Sequence, residues 1–328
     1  MQVSNEITCP HAKQCGGCQL QRMSYPEQLR HKQLKEIRLL GSFCHVDEII
    51  GMDDPLHYRN KVTAAFALDG RRRIISGVYQ SSSHRVVPVD SCMIEDMTAD
   101  QIIRDIRKML PSFKIKVYDE RVGTGWLRHV LVRRGFQTGE VMVVLVAVSP
   151  IFPAQKAFVK KLRELHPEIT TVVLNINDRY GPVVLGNRQK VLAGSGTIED
   201  TLCGYRFRIS PGSFYQINPV QTEVLYRKAV EFAALTGSET VLDAYCGTGT
   251  ITLAVARWAR FATGIEIVPP AIENAKRNAE LNGLDDADFL VGDAGSVFAR
   301  MARAGEHLDE AQQLLRAVVA DVEELLGP

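Results

Sequence analysis

A rhythm in the last third of the chain limits the folds open to it more than any other feature. "VLDAYCGTGTITLAVA" sets an apolar run, Val241 and Leu242, before an acid and a Gly-x-Gly turn, and a helical stretch follows. "ATGIEIVPPAIENAKRN" then repeats strand, acid and helix. Read by hydrophobic period, the region gives a helix over 219–235 and strands over 240–244, 262–266 and 287–291, with helices over 249–259 and 269–282 between them. Strands separated by helices cannot be hairpin neighbours. They form a parallel sheet with crossover helices, a doubly wound, Rossmann-like α/β domain.

Upstream the period changes. Between 57 and 205, "KVTAAFAL", "RIISGVYQ", "HRVVPVD", "LRHVLVRRGF", "EVMVVLVAV" and "TTVVLNIN" are β-rich runs broken by Gly, Asp and Asn. Helices are expected at 98–110 and 153–166, which makes this an α+β or Greek-key-like domain. Residues 1–56 hold a cysteine cluster and a polar helix carrying Leu29, Leu34, Ile37 and Leu40. The expected division is 1–56, a strand-rich central domain over 57–215, and the α/β domain over 216–328. A chain of 328 residues has room for such cores. No apolar run reaches the length of a membrane span, and "MQVSNEITCP" lacks the pattern of a secretory leader, so a cytoplasmic monomer is expected. A net charge of +1 excludes no partner, because a nucleic-acid enzyme can be neutral overall and basic on one face.

The glycine turn carries the first chemistry. Asp243 ends one strand, Gly247 and Gly249 follow, and Glu266 ends the next strand, where an acid meets a ribose diol in doubly wound folds. "GTGTIT" lacks the third glycine of a dinucleotide fingerprint, so the turn fits the methionine and ribose of S-adenosylmethionine better than a pyrophosphate. Asp293, in "VGDAG", follows the third strand where an adenine would lie. The alternative is an α/β domain whose tight turns hold no nucleotide. Cys246 sits inside this turn, on the donor's side and away from an acceptor base, so it is expected to be a small residue tolerated there and not a nucleophile.

Cysteine spacing carries the second. Among 7 cysteines, Cys9, Cys15 and Cys18 are spaced C-x5-C-x2-C. A closed site needs a fourth thiolate, from Cys44 or Cys92, and such a set suits zinc or an iron–sulfur cluster. A purely structural zinc knot is the plainer alternative.

Taken together, "CPHAKQCGGCQLQ", "HYRNKV", "LRHVLVRRG", "SPGSFYQINPVQTEVLY", "DAYCGTGTITL" and "GIEIVPPAIENA" resemble the bacterial RNA uracil-5 methyltransferases. The resemblance runs from about residue 9 to residue 293 and is to the branch that carries a 4Fe-4S cluster and methylates 23S ribosomal RNA. It implies a 4Fe-4S cluster on Cys9, Cys15, Cys18 and Cys92, with Cys44 an ordinary thiol. It also implies that Gln216, Tyr245, Thr250, Glu266 and Asp293 line an S-adenosylmethionine pocket, beside the cradle of Asp243, Gly247 and Gly249. Phe214 and Tyr215 are candidates either for base stacking or for core packing.

Methylation at uracil C5 begins with a thiolate adding to C6, and a carboxylate base later removes the C5 proton. The resemblance places an acid on a "DPPR"-like turn after the fourth strand, the thiol in an "SCNP"-like turn after the fifth and the base further on, and this chain shows none of the three. "RAVVAD", with Asp321, reads as a fourth strand without the proline turn, and no cysteine follows Cys246. The expectation is therefore a truncated member of the lineage that binds cofactor and turns over little. The rivals are a non-catalytic RNA-binding iron–sulfur protein, a transfer-RNA-directed relative, and a NAD-dependent oxidoreductase. Basic clusters at Arg71–Arg73, Arg128 with Arg133 and Arg134, and Lys160 with Lys161 are candidate phosphate contacts.

Overall fold

The β-rich runs of the central region fold into one seven-stranded sheet in the computed structural model, which describes residues 9–303. Its strands are β1 (Lys61–Leu68), β2 (Ile74–Tyr79), β3 (Val86–Pro88), β4 (Leu127–Arg134), β5 (Val141–Ala147), β6 (Ile169–Ile176) and β7 (Arg188–Ala193). The order is β3-β2-β1-β4-β5-β6-β7. Three consecutive strands with the fourth returning beside the first make β3-β2-β1-β4 a Greek key, and β1 is antiparallel to both β2 and β4. Helix α1 (Tyr25–Leu40) precedes the sheet and buries none of its residues.

Two further helices cover this sheet. In α2 (Met97–Met109), Ile102, Ile103 and Ile106 recur at helical spacing and are buried. Asp96 caps its N-terminus, accepting the Ala99 N–H at 3.0 Å. In α3 (Gln155–Leu165), Phe158, Val159 and Leu162 do the same. β5 is buried along its whole length, as a central strand covered on both faces must be, whereas β7 at the sheet edge is largely exposed.

The remaining described residues form β8 (Ile198–Leu202), β9 (Tyr205–Ile209), α4 (Pro219–Ala233), β10 (Thr240–Asp243), α5 (Thr250–Ala256), β11 (Phe261–Glu266), α6 (Pro269–Leu281), β12 (Ala287–Val291) and α7 (Ala294–Arg303). β10, β11 and β12 are the expected parallel sheet, in that order. Leu242 and Ile265 on the sheet pack with Ala294 and Val297 of α7, a helix absent from the sequence reading. The segment "RAVVAD" with Asp321 lies outside the described residues. Among those described, no helix is long and apolar enough to cross a membrane.

Contacts group the chain into two units: one of the chain up to Arg134 with Val143–Ala193, the other of Gly135–Met142 with the chain from Gly194 onward. The β8–β9 hairpin thus belongs with the parallel sheet, where the sequence reading had it in the central domain. A ladder of asparagines explains why. Asn278 of α6 and Asn282, which caps its C-terminus, accept the N–H groups of Arg208 and Arg206, each at 2.8 Å, and Asn282 also donates to the Arg206 carbonyl at 2.7 Å. Four helical residues rise about 6 Å and two strand residues about 6.8 Å. The two spacings match closely enough for helix side chains to complete the open edge of β9.

Candidate cofactor site

All three parallel strands end on the same edge of their sheet, where Asp243 pairs in register with Gly264 and Glu266 with Val291. The turn after β10 is left-handed at Gly247 and Gly249, with φ of +53° and +83°. These glycines do different work. A side chain on Gly249 would meet the Phe289 ring at 3.0 Å, so that glycine permits α5 to pack against β12. Nothing lies within 4 Å of a Cβ placed on Gly247. There the bare backbone faces open space, which is what close approach of a ligand requires.

Asp243 is buried and orders the turn from within. Its Oδ2 accepts the Thr252 hydroxyl at 2.6 Å and its Oδ1 accepts the Tyr245 N–H at 3.2 Å. We therefore read it as a positioning residue. Tyr245 is exposed beside it. The Thr250 hydroxyl is bonded to the Tyr226 hydroxyl at 2.9 Å. Glu266 accepts the Val268 N–H at 2.9 Å. Asp293 caps α7 by accepting the Ser296 N–H at 2.9 Å, and that bond, with the Ser296 hydroxyl, holds its carboxyl below the usual range. Gln216 is half-buried in the segment before α4.

Two residues that anchor the turn escaped the sequence reading. Asn278, fully buried, donates to the Thr248 carbonyl at 3.1 Å, and the Thr248 hydroxyl donates to the Phe214 carbonyl at 3.3 Å. The available signal was three asparagines, Asn274, Asn278 and Asn282, at four-residue spacing on one helix face. The pair left open as Phe214 and Tyr215 separates cleanly: Tyr215 is core, 3% exposed, and Phe214 stands 60% exposed.

Cys246 is a structural thiol. It is buried, and a Cβ on Gly264 would come within 2.8 Å of its Sγ, so only a small side chain fits against that strand. Burial, reinforced by the Asp243 and Glu266 carboxylates, pushes its pKa up, so it stays protonated and a poor nucleophile. Cys203 is likewise raised to about 11 by burial and by Glu223.

The N-terminal cysteines are less assembled than their spacing implies. Burial raises the Cys18 thiol, and neighbouring Cys15 and Cys9 raise it further, so these three share one neighbourhood. The Tyr58 hydroxyl feels both Cys18 and Cys92. Among the described residues, however, no group of three or more His, Cys, Asp or Glu side chains is arranged to hold a metal ion. As placed, the four thiols do not form a coordination sphere.

The basic strand β4 also departs from expectation. Arg128 is buried, donating to the Asn177 and Arg179 carbonyls at 3.1 and 2.7 Å and to Glu120 at 3.1 Å. His129 is buried and lowered to about 4, by burial first and then by Arg128, so it is neutral at pH 7. Arg133 is 1% exposed. Arg128 thus braces the protein from within, and neither it nor Arg133 reaches the surface. Arg71–Arg73 form a hairpin tip folded around Asp69, whose carboxylate accepts the N–H groups of Arg71 and Arg73.

A methyltransferase-domain family model matches residues 235–309. A protein of Clostridium tetani named an uncharacterized RNA methyltransferase is 41% identical over 308 residues, covering 93% of this chain and 67% of its own. A likewise named protein of Halalkalibacterium halodurans is 45% identical over 299 residues, covering 89% of this chain and 65% of its own. Among solved structures, the Pyrococcus abyssi tRNA (uracil-54, C5)-methyltransferase in complex with S-adenosyl-L-homocysteine is similar with a TM-score of 0.70 at 28% identity. That likeness covers 85% of this chain and 65% of the Pyrococcus chain. The chain spans about two thirds of the length of these relatives.

Proposed function

The chain belongs to the RNA methyltransferase family, and from that premise we propose that its parallel-sheet unit binds S-adenosylmethionine for methylation of uracil C5 in 23S ribosomal RNA. The observation that carries the cofactor is the open backbone at Gly247, flanked by strand-end acids on one sheet edge. The cofactor supplies an electrophilic methyl group on its sulfonium. Gly247 admits it to the turn, Glu266 accepts from the ribose hydroxyls, Asp293 accepts from the adenine amino group, and Tyr245 packs against the ring. Asp243 and Asn278 hold the turn still. Gln216 and Thr250 border the methionine end.

Likeness to the Pyrococcus enzyme supports uracil C5 as acceptor. The 23S substrate and a 4Fe-4S cluster on Cys9, Cys15, Cys18 and Cys92 rest on the resemblance in sequence to the iron–sulfur branch. Metal bonds themselves draw thiolates into a sphere, so the pattern and not the placement carries that part. A brown, broadly absorbing purified protein supports the cluster, and a colourless one prepared without oxygen contradicts it.

Addition to uracil C6 needs a thiolate, and both Cys203 and Cys246 are held protonated. Among the described residues of the parallel-sheet unit these are the two thiols, so that part of the chain supplies the donor site without the nucleophile. Calorimetry should show S-adenosylhomocysteine binding to the chain, weakened at least tenfold in Asp293→Ala. Tritium from labelled S-adenosylmethionine should not reach unmodified ribosomal RNA. Absent binding overturns the cofactor reading, and stoichiometric transfer overturns the assignment of a missing nucleophile.

A transfer-RNA substrate is the second reading, favoured by the named substrate of the Pyrococcus enzyme. Competition between transfer RNA and 23S fragments for the chain separates the two.

A further inference from the structure

Of the basic clusters in the sequence, Arg128 and Arg133 on β4 are buried, Arg134 pairs with Asp96 at 3.1 Å, and Arg71–Arg73 form an exposed hairpin tip where the Arg73 guanidinium pairs with Asp69. The cations of α3, by contrast, border a groove of about 580 Å³. Lys156, Lys160 and Arg163 lie at positions i, i+4 and i+7, on one helix face, and all three line it. Val159, Pro167 and Leu192 of β7 supply an apolar floor. Lys190, also on β7, reaches across to the Gln155 amide oxygen at 3.2 Å.

These charges are only weakly spent within the protein. Glu164 is the one acid lining the groove, and it sits 3.9 Å from Lys160 and 4.0 Å from Lys161, in exposed pairs that contribute little. Arg163 donates its Nε–H to the Ile169 carbonyl at 3.3 Å, a bond that tethers its guanidinium at the groove. A solvated helix face needs no such anchoring and no concavity. The lining offers no aromatic side chain for stacking a base, so the groove suits a sugar–phosphate backbone more than a nucleobase.

We propose that the α3–β7 groove is a sequence-independent binding site for the phosphate backbone of RNA, gripping a part of the substrate other than the target base. The proposal rests on RNA being the substrate class. Its contacts add affinity and register while leaving the reaction's base preference unchanged.

The test is RNA binding by the full 328-residue chain, measured by filter retention of a ribosomal RNA fragment across a salt series. Three phosphate contacts on a single strand contribute about 2 to the slope of log affinity against log salt. The variant Lys156→Gln/Lys160→Gln/Arg163→Gln should flatten the slope by about that amount and bind at least tenfold more weakly at low salt. Its affinity for S-adenosylhomocysteine should be unchanged. Lys156→Gln/Lys160→Gln, which leaves the Arg163 bond in place, should show about two thirds of the loss in slope. Lys156→Arg/Lys160→Arg should retain full binding. Equal affinity and slope in wild type and the triple variant would overturn the groove while leaving the RNA reading intact. Failure of the wild-type chain to bind any RNA overturns both.

Discussion

β4 carries Arg128, Arg133 and Arg134 in a strand whose first seven residues are buried. α3 carries Lys156, Lys160, Lys161 and Arg163, every one exposed. In the sequence both read as basic clusters. In the fold, β4 lies between β1 and β5 in the middle of a sheet, so its cations must find partners inside, as Arg128 does in two carbonyls and Glu120. α3 lies on the surface, so its apolar stripe is buried and its cations turn outward. Charge counts therefore say little about a nucleic-acid face until the burial of each charge is known.

Substitutions can break or sharpen that contrast. The largest effect is expected at Arg128→Ala, which strips three hydrogen bonds from a side chain only 4% exposed. It should cost about 3 kcal/mol in denaturant unfolding. A loss below about 0.5 kcal/mol would mean the buried arginine braces nothing.

Lys61, opposite Arg133 on β1, should respond in the other direction. Burial, then Arg133 and Arg59, lower its pKa to about 8 from 10.5. Between those values the unfolded chain binds more protons than the folded one, so stability rises with pH from 8 to 10.5 and falls away as pH drops through 8. Lys61→Met should stabilise by about 1–2 kcal/mol at pH 7 and shrink in effect above pH 10. A gain that does not depend on pH would point to packing instead.

The smallest effect is expected at Lys160→Ala/Lys161→Ala. Their pairs with Glu164 are long and exposed, so stability should stay within about 0.5 kcal/mol of wild type. A larger loss would show that α3 depends on these charges for its own structure.

Much of the architecture was legible beforehand because it rests on period. The expected strands at 240–244, 262–266 and 287–291 lie within a residue of β10, β11 and β12, and helix 98–110 within a residue of α2. The Greek-key expectation rested on long connections among β-rich runs, and β3-β2-β1-β4 has that order. The β8–β9 hairpin was not marked, although its two-residue turn at Cys203 and Gly204 is local; what the sequence does not announce is that Asn278 and Asn282, some seventy residues downstream, bond the outer edge of β9. α7 was missed although its period is local: Ala294, Val297, Phe298 and Met301 recur at helical spacing, and the first two meet Leu242 and Ile265 on the sheet.

The candidate site divides along the same line. Gly-x-Gly after an acid is a local signal, and its left-handed turn follows from glycine alone. Which glycine faces open space and which one packs on Phe289 depended on β12 coming alongside. Cys246 is the sharpest case. Its place in the cradle, on the donor's side of the turn, already marked it as a small filler and not the nucleophile. Its burial against Gly264 and the nearby carboxylates of Asp243 and Glu266 supply the physical reason. Period and turn chemistry are properties of adjacent residues, so the sequence by itself determined the order of the elements and the kind of ligand turn. Burial and electrostatic field arise between distant segments, so only the tertiary structure decided what keeps Cys246 inert and which cations face the solvent.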